Sequence, residues 1–161
     1  MRSGFVLASV LLTAVCAAAH AASGPPMIVT SFEENKFVPS NPDNPNGTQI
    51  AILKGDPETG PSTMLMRFKK GASPSHIHSS DYQLVVIEGT MTHRSAEQKE
   101  ADAKPLGPGS YWFQPGGKAH IDACLVDECL LYIVWSGKRD GRLATDGVPE
   151  SASVVGKSPR S

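Results

Sequence analysis

The sequence predicts an all-β barrel or sandwich, and three observations predict it. Apolar residues fall in runs of four to seven, rich in β-branched and aromatic side chains. Fifteen glycines and thirteen prolines in 161 residues cut the chain between those runs. The charged stretch over residues 95–104 is the one place for a helix, and it has no apolar face. It is expected as an exposed loop between two halves of the sheet. A chain of this length has room for one domain.

Residues 1–22 precede the fold. Arg2 gives a positive start, residues 5–19 form an uncharged apolar run, and Ala19-His20-Ala21 has the small-x-small pattern of a signal-peptidase site. The run is shorter than the roughly 20 residues that span a bilayer, and the residues before Cys16 match a lipoprotein box poorly. Export to the periplasm or medium, with cleavage near Ala21 and no stable membrane anchor, is therefore expected. Losing Arg2 leaves 14 of the 15 basic residues against 16 acidic ones, a net charge of −2. With no basic stripe, nucleic acid is not an expected partner.

Residues 23–46 read as an N-terminal extension, with one strand-like stretch over 27–30 and a turn-dense connector over 41–47. Barrel strands are expected at 48–53, 63–68, 82–87, 90–93, 110–113, 120–124 and 130–135, within a barrel spanning 47–137. Met64, Met66, Tyr111, Trp112 and Phe113 read as packing. Lys69-Lys70 and Lys138-Arg139 read as solvated strand ends, and Glu88 as an exposed turn residue. From 138 to 161 the chain is Ser, Gly and charge, the composition of a flexible tail. Cys124 and Cys129 form an even pair that an oxidising compartment would join as a disulfide across a hairpin. The alternative is two free buried thiols.

Chemistry concentrates in two segments. In Gly71-Ala-Ser-Pro-Ser-His76-Ile-His78, alternation on an extended strand aims both imidazoles to one side, with Ile77 outward. In Gly109-Ser-Tyr-Trp-Phe-Gln-Pro115-Gly-Gly117-Lys-Ala-His120, a strand, a tight turn and a returning strand bring His120 back from the other side. The first segment, continued to Gly89, resembles the first motif of the cupin superfamily. The second matches the second motif, a glycine, five residues and Pro-x-Gly-x-x-His, without a gap. Asp81-Tyr-Gln-Leu-Val-Val-Ile-Glu-Gly-Thr90 and residues 108–117 also resemble a single-domain, RmlC-like branch of unassigned function. That branch is related to the cupin module of zinc-dependent anti-sigma factors.

The resemblance implies a cupin barrel (a double-stranded β-helix, or jelly roll) with His76, His78 and His120 as metal ligands. A homodimer is the usual assembly of the superfamily. The glutamate that usually completes the site is missing. Tyr82 and Gln83 stand nearest its place, Gln83 with an amide oxygen able to coordinate, whereas Asp81 and Asp122 fit the spacing poorly. Cys124 stands where an asparagine often follows the last histidine. Three neutral ligands with open positions describe a catalytic divalent ion (Fe, Zn, Mn or Ni, with Cu also suited to imidazole) keeping its full charge. Such a site is expected to serve a dioxygenase-like oxidoreductase or a lyase acting on a small organic anion or enol. The alternative is a cupin that binds or senses a metal or metabolite without turnover. Trp112 and Gln114 share a strand face and are candidates to line the pocket. His93 is expected at the rim or surface.

Overall fold

The computed structural model describes Gly24 and residues 26–144. Contacts divide the chain after Thr30, and residues 26–30 form no strand, so the stretch expected over 27–30 is not one. The expected signal peptide (1–22) and the tail beyond 144 lie outside the described residues. The unit that begins at Ser31 carries every strand.

Among the described residues, nine strands form one curled antiparallel sheet, and the expected all-β class is observed. They are β1 (Val38–Pro39), β2 (Gln49–Gly55), β3 (Ser62–Ala72), β4 (His76–Ile77), β5 (Tyr82–Glu88), β6 (Met91–Ser95), β7 (Tyr111–Gln114), β8 (His120–Trp135) and β9 (Arg142–Leu143). Residues 96–104 are turns, coil and a single 3-10 turn over Glu100–Asp102, exposed apart from the half-buried Ala103.

Strand β8 organises the barrel. Its second half lies between β3 and β5, and its first half pairs with β6, β4 and the end of β3. The hairpin expected between Cys124 and Cys129 is instead a bulge inside this one strand. Against β3 the register passes from Lys69↔Glu128 to Gly71↔Cys124, which leaves residues 125–127 unpaired there. The two cysteines are disulfide-bonded with Cα atoms 6.0 Å apart, where five extended steps would cover about 17 Å. A bulge bends its strand, and the bend lets β8 serve both halves. Gly89 faces the same corner at φ +86°, where a Cβ would stand 2.7 Å from the Cys129 sulfur. Only glycine fits there.

Alternation sorts the residues to either face. Met64, Tyr82, Leu84, Val86, Met91, Trp112, Leu131, Ile133 and Trp135 point inward and form the main core. Ala51, Leu65 and Leu130 form a smaller cluster with Phe37 and Leu53. Tyr111 and Phe113, read as packing, are half exposed, because Trp112 takes the inward position between them. The extension also joins the sheet, since β1 pairs with β2 and Phe37 lies 4.0 Å beneath the Arg67 guanidinium.

Candidate metal centre

The three predicted histidines meet. His76 on β4 is the direct cross-strand partner of His120 on β8, and His78 follows His76 by two residues. Gly117 N–H donates to the His78 carbonyl at 2.8 Å, which ties the second motif's turn to the first. Ring centroids lie 4.2 Å apart for His76 and His120, 4.9 Å for His76 and His78, and 5.2 Å for His78 and His120. One nitrogen from each ring falls within 4.8 Å of the others, close enough to hold a metal ion.

Backbone carbonyls select which nitrogens those are. His76 Nδ1 is 2.9 Å from the Pro74 carbonyl, His120 Nδ1 is 3.2 Å from that of Lys118, and His78 Nδ1 bonds that of Asp140. A carbonyl only accepts, so each Nδ1 carries the proton and each Nε2 presents its lone pair to the cluster, that of His120 with the Tyr82 hydroxyl 3.2 Å away. Burial strengthens the arrangement by disfavouring protonated rings. It pushes His120 down to about 4, against an opposing pull from Asp122, and lowers His78 as well. The donor set therefore fits a divalent ion that accepts imidazole.

Five further residues shape the site, and four of them depart from the sequence reading. Asp122, which fits the family spacing poorly, turns its Oδ2 toward the histidines, 3.6 Å from His120 Nε2 and 3.8 Å from His76 Nε2. The site is thus not purely neutral. His93 is no rim residue. Its Nδ1 lies 2.7 Å from Asp122 Oδ1, and its ring stacks on Trp112 at 4.9 Å and 14°. Arg139 and Asp140 belong to the site rather than to a loose tail, because β9 pairs with β4 and brings Asp140 to His78. Asp140 also accepts from the Ser79 N–H and hydroxyl. Tyr82 is buried and lines the cavity, and its hydroxyl lies 3.2 Å from His120 Nε2 and accepts from Trp112 Nε1–H. Burial and then the Asp122 charge raise its pKa well above 10, so it remains a neutral phenol.

The other candidates lie elsewhere. Gln83 points outward and accepts a hydrogen bond from the Tyr111 hydroxyl at 3.3 Å, because alternation on β5 gives the inward place to Tyr82. Gln114 is buried but spends its amide on the Pro115 and Lys118 carbonyls, where it braces the turn before His120. Asp81 accepts from Gly116 N–H and holds the same turn. Trp112 does line the cavity, a space of about 240 Å³ that His76, His78, Tyr82, Asp122, Trp135 and Arg139 also border. The rest of its wall is mostly apolar, with Met66, Phe68, Leu84 and Leu131, and Ser40, Thr48 and Ser73 also line it. The same-face spacing of His120 and Asp122 was visible in the sequence. The pairing of His93 with Asp122 is a long-range register and was not.

A family model described as "Domain of unknown function (DUF4437)" matches residues 28–142. The "DNA damage-repair/toleration protein DRT102" of Arabidopsis thaliana is 34% identical over 82 residues, which are 50% of this chain and 25% of that one. The chain thus matches only a quarter of that relative's length. The polyketide cyclase RemF from Streptomyces resistomycificus superimposes with a TM-score of 0.58 at 19% identity, over 78% of this chain and 89% of that one. An RmlC-like cupin from Shewanella frigidimarina gives 0.55 at 19% identity, over 71% and 95%. KdgF from Halomonas sp. gives 0.54 at 19% identity, over 68% and 94%. These likenesses show a shared fold.

Proposed function

This chain belongs to the DUF4437 family and shares the cupin fold, and from that premise we propose that it is an exported, metal-dependent enzyme acting on a small organic anion by lyase- or oxygenase-type chemistry. One observation carries the reading. Three Nε2 lone pairs, each fixed by a backbone carbonyl behind its ring, converge at the edge of a cavity large enough for a small substrate. A divalent ion bound by His76, His78 and His120 supplies Lewis acidity toward a substrate oxygen.

The chain's own residues supply the rest. Arg139 borders the cavity, and among the described residues no carboxylate is salt-bridged to its guanidinium. Burial lowers its pKa, with Glu58 opposing only in part, yet a guanidinium stays charged at neutral pH. It is placed to receive an anionic group. Tyr82 offers a neutral hydroxyl donor beside His120. Trp135 adds a buried indole N–H that has no hydrogen-bond partner among the described residues. The apolar part of the wall is suited to packing against a substrate's carbon skeleton. Among chains of this fold, one is named a polyketide cyclase and others DMSP lyases, so the scaffold hosts transformations of small molecules, an analogy of fold that supports the reading without fixing the substrate.

Elemental analysis of the purified protein tests the premise. About one equivalent of a divalent metal is expected per chain, lost in His76→Ala and in His120→Ala. Metal-free protein that takes up no ion on reconstitution overturns the reading. Oxygen uptake by the Fe(II)-loaded protein over β-diketones, flavonols and small carboxylates then separates oxygenase from lyase. Binding without turnover under Fe, Mn, Ni or Zn leaves a binding module.

A further inference from the structure

We infer that Asp122 is a fourth, anionic ligand of this site, replacing the missing glutamate of the first motif from the opposite strand, and that His93 positions it. The inference rests on the proposed metal site and concerns which atoms complete it.

Spacing between donor atoms supports it. Donors bound to one ion at about 2.0–2.2 Å stand roughly 3 to 3.6 Å from one another. Asp122 Oδ2 stands 3.6 Å from His120 Nε2 and 3.8 Å from His76 Nε2, close to that span on two sides, but it lies outside the set of three ring nitrogens that fall within 4.8 Å of one another, so its side chain must turn toward His78 to share an ion with all three. Strand geometry makes the placement a consequence of sequence. Two residues along β8 from His120 means the same inward face, and the β6–β8 register sets His93 directly opposite Asp122.

One carboxylate oxygen of Asp122 and both of its backbone polar groups are held. Its Oδ1 is engaged by His93 Nδ1 at 2.7 Å. His93 is itself fixed by its stack on Trp112. The Asp122 N–H donates to Ser73 Oγ at 3.1 Å, and the Asp122 carbonyl accepts from Ser73 N–H at 2.8 Å. Only Oδ2 remains, which describes a monodentate ligand with an imidazole orienting its other oxygen. A side chain 13% exposed that carries a negative charge beside three ring nitrogens is well suited to a cation among them. The site then presents three nitrogens and one carboxylate, and its net charge with a divalent ion is +1.

The test compares Co(II)- and Zn(II)-loaded wild type with Asp122→Asn, Asp122→Ala and His93→Ala, reading the dissociation constant by chelator competition and the Co(II) visible spectrum. Asp122→Asn and Asp122→Ala are expected to weaken binding by about 100-fold or more and to shift the Co(II) bands. His93→Ala is expected to weaken it by about 10- to 100-fold, with a smaller shift. Circular dichroism identifies any variant that fails to fold, and Asp122→Asn, nearly isosteric, is the one least prone to do so. Wild-type affinity and spectrum in folded Asp122→Asn, with His120→Ala still losing the ion, overturn the role of Asp122 and leave the three-histidine reading intact. Wild type that binds no metal overturns both.

Discussion

At the residue scale, His120 is 1% exposed, and an imidazole so placed takes a proton only by charging a group cut off from water. Its pKa falls from 6.5 to about 4 for that reason. In the unfolded chain the same ring protonates near 6.5, so between these values the unfolded state binds more protons. The stabilisation is therefore fully present above about pH 6.5 and is lost as pH falls toward 4, and His78 shifts in the same direction. Thermal unfolding of metal-stripped protein should show a midpoint that drops from pH 7.5 to pH 4.5. A folded His120→Gln variant should show a flatter profile; equal slopes would place the acid sensitivity in the carboxylates instead. Arg139 bears on recognition, not on the ion. Calorimetric titration of metal-loaded protein with small carboxylates such as succinate should show Arg139→Gln binding them roughly 10- to 100-fold more weakly, the span of a charged hydrogen bond. Its metal affinity should be unchanged, and Arg139→Lys should recover part of the loss. Equal carboxylate affinity in wild type and Arg139→Gln would remove the guanidinium from the site.

At the element scale, β8 carries both His120 and Asp122 on the side of its bulge that pairs with β6, while its other half is built into the core between β3 and β5. The Cys124–Cys129 bond closes that bulge over a sequence separation of five. Such a short loop restricts the unfolded chain modestly, by about 2 kcal/mol on the loop-entropy account. Replacing both cysteines by alanine should lower stability to urea by about that amount. It should also weaken metal binding, because the first half of β8 then loses its fixed angle to the second. Unchanged metal affinity in a destabilised double variant would mean that the pairing with β6 alone sets the position of His120. Both halves of β8 were legible as apolar runs, yet their fusion was not. Leu125, Val126, Asp127 and Glu128 are exposed or charged, and such residues between two runs look the same whether they turn the chain back or bulge from a continuing strand.

At the scale of the whole molecule, the barrel and its three histidines were readable because both follow from short-range rules: two-residue alternation, glycine at tight turns, and two motifs of fixed spacing. What escaped depends on contacts between distant segments. His93 meets Asp122 only through the register of β6 on β8, and Arg139 reaches the cavity only because β9 returns to β4, although its composition reads as tail. Tyr82 and Gln83 both stood near the place of the missing glutamate, and the pleat turns the first inward and the second outward. The disulfide gives the molecule a further, cellular consequence. A bond of this kind persists where thiols are not continually reduced, and both cysteines are buried, so the bond is expected to form as the barrel folds rather than afterwards. Export through the segment at 1–22 would meet that condition. Produced from the full reading frame in a bacterium with a periplasm, the protein is expected in the periplasmic fraction. There its mature chain should begin near Ala22, and intact mass should show no free thiol among the two remaining cysteines. Recovery from the cytosol with residues 1–22 attached and both thiols reactive would contradict export, and would leave the barrel to fold without its stitched corner.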